Sequence, residues 1–204
     1  MALANYSDLT TAVANWLDRT DLSARIPEFI SLAEAKFNRN LRTMQMETVS
    51  SGLTLTAGTG AYDFPDNTLA ITKFKVTADS VYELDQVSKE LLVRKFPNNA
   101  QGLPLAFAID GNQMVIRPLP DSDYYYELSY YEKVSDLQTN STNWLMTLYP
   151  DAYLYGALME AAPYLKDQAE IPLWDIKLNR VLEEIMSADR KDRWSGGSLF
   201  VRRV

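Results

Sequence analysis

The chain has 204 residues, a formal net charge of −7, 47% hydrophobic and 11% aromatic residues, and neither histidine nor cysteine. That length is one domain or two small ones, with enough apolar content for a normal core. The missing residue types exclude disulfides, thiolate nucleophiles, imidazole bases, Ser-His-Asp or Cys-His catalysis and thiolate- or imidazole-bound zinc.

Carboxylate pairs and Mg²⁺ on Asp or Glu remain open to such a chain. The acidic balance argues against nonspecific nucleic-acid binding by the body, which depends on neutralising phosphates. No run approaches the eighteen or so apolar residues of a membrane span. MALANYSDL has no basic stretch ahead of an apolar one, so no signal peptide is expected and synthesis is expected in the cytoplasm.

Helical spacing opens the chain. Ser7 is a plausible N-cap for a helix from Asp8 to about Asp18, with Leu9, Val13, Trp16 and Leu17 on one face. A second helix starts near Ile26, where Pro27 suits the first turn and Glu28 the positive dipole end. Ile26, Phe29, Ile30, Ala33, Phe37 and Leu41 form its stripe, and Glu34, Lys36 and Arg39 point elsewhere.

The period changes near Met46. Strands are expected over 48–56, 61–64, 69–76 and 81–84, with Gly58-Thr59-Gly60 as a turn. A short helix over 88–96 is capped by Ser88 and stopped by Pro97-Asn98-Asn99. Phe107-Ala108-Ile109, Asp110-Gly111 and Met114-Val115-Ile116 read as a β-hairpin, because Asp-Gly accepts the positive φ of a type I′ turn. Tyr124 to Val134 is a long strand. Tyr124, Tyr126, Leu128 and Tyr130 lie on one side, and Tyr125, Glu127, Ser129 and Tyr131 on the other.

Helical pattern returns after a polar stretch over 135–143. A main helix runs from Asp151 to about Lys166, with Pro163 near its end, and a last one from Ile171 to about Asp189, with Trp174, Leu178, Val181, Leu182 and Ile185 buried. The fold class is therefore α+β. Both chain ends (1–46 and 140–189) form a helical bundle, 47–139 is an inserted β-rich lobe, and 190–204 is an extended C-terminal tail.

No catalytic site stands out. Asp8, Asp18, Asp21, Glu28 and Glu34 read as solvated helix faces, as do Glu183 and Glu184, and Asp121 and Asp123 sit in a turn. No phosphate loop or calcium loop is present. No enzymatic activity, metal or cofactor is expected. One strand cannot bury both faces of the tyrosine group on a small sheet, so some of Tyr124, Tyr126, Tyr130 and Tyr131 are expected at a neighbouring subunit. A stacking platform for sugars or bases is the other reading of these rings.

The tail has the most distinctive composition. Arg190, Lys191, Arg193, Arg202 and Arg203 against Asp192 make it +4, while the chain as a whole is −7. Trp194, Leu199 and Phe200 are too little apolar surface to fold alone, and Gly196-Gly197 hinges them. Such a segment reads as a docking arm.

The chain also resembles a family, the head-to-tail connector adaptor proteins of tailed bacteriophages. The resemblance rests on Tyr62-Asp63-Phe64-Pro65-Asp66, Gly102-Leu103-Pro104, Ala108-Ile109-Asp110-Gly111-Asn112 and Pro118-Leu119-Pro120, then the strand ending Tyr130-Tyr131. It continues through Tyr149-Pro150-Asp151-Ala152-Tyr153-Leu154-Tyr155-Gly156-Ala157-Leu158, Ala161-Ala162, Tyr164-Leu165-Lys166, Trp174 and Ala188-Asp189-Arg190.

It implies a virion neck protein, in a ring of about twelve copies beneath the portal. The partners implied are the portal protein, further copies of the chain, a downstream tail or nozzle protein, and genomic DNA passing through the channel without specific binding. No membrane is implied. On this reading the portal contact falls on Arg190, Lys191, Arg193, Trp194, Ser195, Gly196, Gly197, Ser198, Leu199, Phe200, Arg202 and Arg203. Gly58, Gly60, Asp110 and Gly111 are candidates for loops facing the tail. The alternatives are a carbohydrate- or receptor-binding tail protein, or another neck component such as a stopper or tail-completion protein.

Overall fold

The computed structural model describes residues 3–167 and 169–194. In chain order the elements are helices α1 (Tyr6–Leu17) and α2 (Ile26–Asn40), strands β1 (Glu47–Leu55), β2 (Ala61–Asp63), β3 (Thr68–Thr77), β4 (Val81–Glu83) and β5 (Asp85–Gln86), and helix α3 (Lys89–Lys95). Then come β6 (Gln101–Gly102), β7 (Ala106–Asp110), β8 (Gln113–Arg117), β9 (Leu119–Pro120) and β10 (Tyr124–Glu132), followed by helices α4 (Leu137–Asn140), α5 (Trp144–Leu148), α6 (Pro150–Tyr164) and α7 (Ile171–Trp194). The fold is α+β, with helices towards both ends of the chain. It divides into two compact units, one from residues up to Met46 and from Val134 onward, the other Glu47–Lys133.

The helical unit is organised around α6. Its buried residues, among them Tyr153, Leu154, Ala157, Leu158 and Ala161, go nearly all round the helix. Such a helix must be covered on several sides, and α1, α2, α5 and α7 cover it. Gly156 sets the closest approach: a Cβ there would lie 2.9 Å from Ala33 Cβ and 3.0 Å from Phe37 Cζ. Phe37 meets Tyr153 edge to face at 5.1 Å. The cap of α1 is Asn5, whose side-chain oxygen accepts from Asp8 N at 3.0 Å, so the helix starts two residues earlier than a Ser7 cap predicts. Pro163 is the penultimate residue of α6, so the i→i−4 hydrogen bond it cannot donate falls where the helix is already ending.

Residues 134–149 belong to the helical unit, so the chain returns to it six residues before position 140. Two polar residues of α2 hold this return. Asn38 Oδ1 accepts from Val134 N at 2.8 Å, and Glu34 Oε1 accepts from Leu137 N at 3.0 Å. Glu34 is only 7% exposed, which corrects its placement on a solvated face. Tyr153 Oη donates to it at 3.3 Å and accepts from Asn143 Nδ2 at 2.7 Å. Asn143 also caps α5 through Met146 N. Burial is the main cause that raises the Glu34 carboxyl above its ordinary range, and burial likewise raises the Tyr153 phenol.

The β unit has two four-stranded sheets. The first runs β1-β10-β3-β4, all antiparallel, and the second β2-β8-β7-β5, with β5 parallel to β7. A parallel β6-β9 pair is separate. One core joins Leu55, Phe74, Val76, Tyr126 and Leu128 of the first sheet to Phe107, Met114 and Ile116 of the second. Phe74 meets Phe107 at 5.2 Å. The strand period of two then sends Ala106 and Ala108 to the other face of β7, where α3 covers them with Leu92.

Candidate functional site

The basic end of the chain starts on a rigid support. Helix α7 runs to Trp194, five residues beyond the expected stop at Asp189, so Arg190, Lys191, Arg193 and Trp194 are helical rather than extended. Arg-Lys-Asp-Arg-Trp contains no helix breaker, and Lys191 and Arg193 suit the negative end of the dipole. Asp189 locks this last stretch. It is 9% exposed and accepts from Met44 N at 2.6 Å and from Arg193 Nε at 2.8 Å. Trp194 is 76% exposed, presenting a large apolar ring at the helix end. Ser195, Gly196, Gly197, Ser198, Leu199, Phe200, Arg202 and Arg203 lie outside the described residues.

The tyrosine strand is central in its sheet, with β1 on one side and β3 on the other. Tyr126 and Tyr130 belong to the core of the β unit, which removes both from the expected subunit contact and dissolves the idea of a stacking platform on that face. Tyr126 packs against Phe74 at 5.0 Å and Tyr62 at 6.3 Å. Tyr124 is half-buried and donates to Asp121 Oδ1 at 2.6 Å. Tyr131 is half-buried, and Tyr125 is the most open ring of the group at 66%. The outer face therefore carries Tyr125, with Thr54 and Thr77 as its register partners and the Lys75–Glu127 pair (3.0 Å) beside it.

The loop candidates separate into two kinds. Gly58, at φ +75°, donates its N–H to Pro120 O at 2.8 Å. Gly60 is packed: a Cβ there would fall 2.3 Å from Leu119 Cδ2 and from an Arg117 nitrogen, so it is a close backbone approach and not a free loop tip. The hairpin tip is open, since a Cβ on Gly111 would meet nothing within 4 Å. Asp110 pairs with Gln113, which makes Gly111-Asn112 the two-residue turn. Only Gly111 has positive φ (+62°), the pattern of type II′ and not of I′. Lys89 forms an ion pair with Asp110 at the base of this tip.

One surface was not expected from the sequence. Trp16 is 53% exposed instead of buried, and Trp174 is half-buried. The two rings meet edge to face at 5.7 Å, Trp174 stacks on Tyr155 at 6.0 Å, and Lys177 Nζ stands over both Tyr155 and Trp174 at 5.2 and 5.1 Å. They border a groove of about 320 Å³ whose charged lining residues are Asp167 and Glu170. Helical spacing placed each tryptophan on an apolar stripe, but both stand at the edge of their stripes.

Among the described residues, no helix is long and apolar enough to cross a membrane, and no group of three or more acids gathers where it could hold a metal ion. No curated protein matches the chain. The family model described as SU10 adaptor protein matches residues 4–202, nearly the whole sequence. That match covers the helices of both ends, the β unit and most of the arm, so the chain belongs to the SU10 adaptor protein family, a family of phage adaptors.

Proposed function

We propose that this adaptor is a non-catalytic structural subunit of the junction between the head and tail of a tailed phage. Copies form a ring beneath the portal, and residues 190–204 dock on the portal protein. A downstream tail or nozzle protein binds the opposite side, and genomic DNA passes through the centre. The observation that carries this reading is the end of α7: a helix fixed by Asp189 delivers Arg190, Lys191 and an exposed Trp194 to one point. The sequence beyond it is glycine-hinged and basic. Arginine forks match carboxylates and carbonyls on a protein surface, and Trp is the residue type most often dominant in such contacts.

Charge supports the same role. An acidic body lining a channel repels phosphate, so a duplex slides without sticking. Repeated contacts of one surface with a different surface of the next copy close into a ring when the rotation closes. The outer face around Tyr125 and Tyr131, with Tyr124 at the strand end beside it, is the proposed place for a subunit contact, and the open Asp110-Gly111 tip for a tail contact.

The test is co-sedimentation with purified portal rings of the full chain and of a variant ending at Trp194. The variant is expected to keep its circular-dichroism spectrum and lose at least tenfold in portal binding. Undiminished binding would remove the arm from the account.

A further inference from the structure

The groove at Trp16 and Trp174 has a chemistry that the arm itself matches. Its volume, about 320 Å³, is at the low end of ligand-binding clefts and holds one bulky apolar side chain. Trp16 and Trp174 offer aromatic surface beside Leu158, and the rim is acidic through Asp167 and Glu170. Lys177 is turned onto the Tyr155 and Trp174 rings, and Asp175 faces Lys36 at 3.5 Å. Residues 195–204 carry Leu199 and Phe200 followed by Arg202 and Arg203, with no acid among them. An apolar anchor with two cations behind it is the complement of an aromatic groove with two carboxylates at its edge.

Reach decides whose arm it is. Trp174 and Trp194 stand twenty residues apart on the single helix α7, about 30 Å at 1.5 Å per residue. Phe200 is six residues past Trp194, and a fully extended chain carries its Cα at most about 22 Å. Asp167 and Glu170 precede α7 in the chain and line the same groove as Trp174. The Phe200 Cα therefore stays at least about 8 Å short of the Trp174 Cα of its own copy, a gap that side chains bridge only if the arm doubles straight back along α7 at full stretch, whereas the groove of a second copy needs no such stretch.

We propose that Leu199 and Phe200 of one copy dock in the Trp16–Trp174 groove of a second copy, with Arg202 and Arg203 against Asp167 and Glu170. Each copy then offers a groove near one end of α7 and an arm beyond the other, so the contact repeats head to tail. The inference rests on the reading of 190–204 as a docking arm and adds its regulation. A portal protein takes the arm by displacing it from the groove of the next copy.

The test uses the full chain and three variants, Phe200→Ala, Trp174→Ala and the double change Asp167→Lys with Glu170→Lys. Sedimentation velocity over a concentration series at low salt is expected to show wild-type association that each variant weakens at least tenfold and that added salt weakens as well. Trp174→Ala keeps its arm, and Phe200→Ala keeps its groove. Mixed, they are expected to form a one-to-one complex that grows no further. If Trp174→Ala does not fold, the double lysine variant takes its place in the mixture.

A fluorescein-labelled peptide of residues 195–204 is expected to bind the Phe200→Ala protein and to bind the double lysine variant at least tenfold more weakly. A wild-type protein that stays monomeric, variants that associate like wild type, or a mixture that forms no pair overturns the inference. Portal binding separates this from the arm reading. Phe200→Ala losing portal binding while the wild type stays monomeric leaves the portal arm standing and removes the groove. Phe200→Ala binding portal normally removes the portal arm whatever the self-association.

Discussion

Glu34 carries a carboxylate into the helical unit, where it holds the returning chain through Leu137 N and Tyr153 Oη. Burial raises its carboxyl, so the folded protein holds that proton more tightly than the unfolded chain. The contribution of the protonated form is fully present below the unfolded value of about 4.3 and is lost as pH rises through the higher folded value. Glu34→Gln keeps an acceptor and removes the charge. It is expected to match or exceed wild type in urea denaturation at pH 7, with the gap closing as pH falls towards 4. Glu34→Ala leaves Leu137 N without its partner and is expected to lose about 1–3 kcal/mol. Gly156 poses the opposite problem. Alanine there gains about 1 kcal/mol of helix propensity, but its Cβ would press on Ala33 Cβ, which is fixed to backbone, and on Phe37, which is fully buried. Overpacking costs about 1–3 kcal/mol, so Gly156→Ala is expected to destabilise by roughly 1 kcal/mol and Gly156→Val by more. Neither role was legible in the sequence. Glu34 meets partners at 137 and 153, and nothing in the local spacing of α2 distinguishes it from Lys36 or Arg39.

At the level of elements, local chemistry was readable wherever it is complete within a few residues. Ser88 caps α3 as its position suggests, and the expected strands fall within a residue or two of β1–β4, β7, β8 and β10, whereas the two-residue strands β5, β6 and β9 had no alternating run to announce them. The errors have physical causes. The type II′ turn is displaced by one residue because Gly111, not Asp110, takes the positive φ. Helix α7 continues past Asp189 because charged residues that propagate a helix were read as the start of a tail. Asp189 is an acid in the unfavourable C-terminal part of a helix, and its place is explained by Met44 N, which lies 145 residues away in sequence. Asp189→Ala is expected to cost about 1–3 kcal/mol. It should also speed amide exchange at Met44 and over 190–194, while exchange in the first half of α7 stays as in wild type. Unchanged exchange at Met44 would remove this lock from the account.

At the scale of the molecule, the division into helical and β units was announced by the change of hydrophobic period near Met46. The return at Val134 was not, because the polar stretch 135–143 gains its structure from Asn38, Glu34 and Asn143 and not from a stripe of its own. The aromatic groove needed Trp16 and Trp174 to be brought together by folding. The family was legible through the order of short motifs over the whole length, and the position of Tyr126 and Tyr130 in the core was masked by a strand with tyrosine on both faces. The account turns on one proposition, that this acidic adaptor is captured by a portal through its basic end. The direct test is the mass of the full chain, alone and with purified portal rings, by native mass spectrometry. The account predicts a closed ring of one defined copy number that forms only on the portal and fails to form when residues 195–204 are removed. Rings of the same mass without portal, or on portal without residues 195–204, would contradict it.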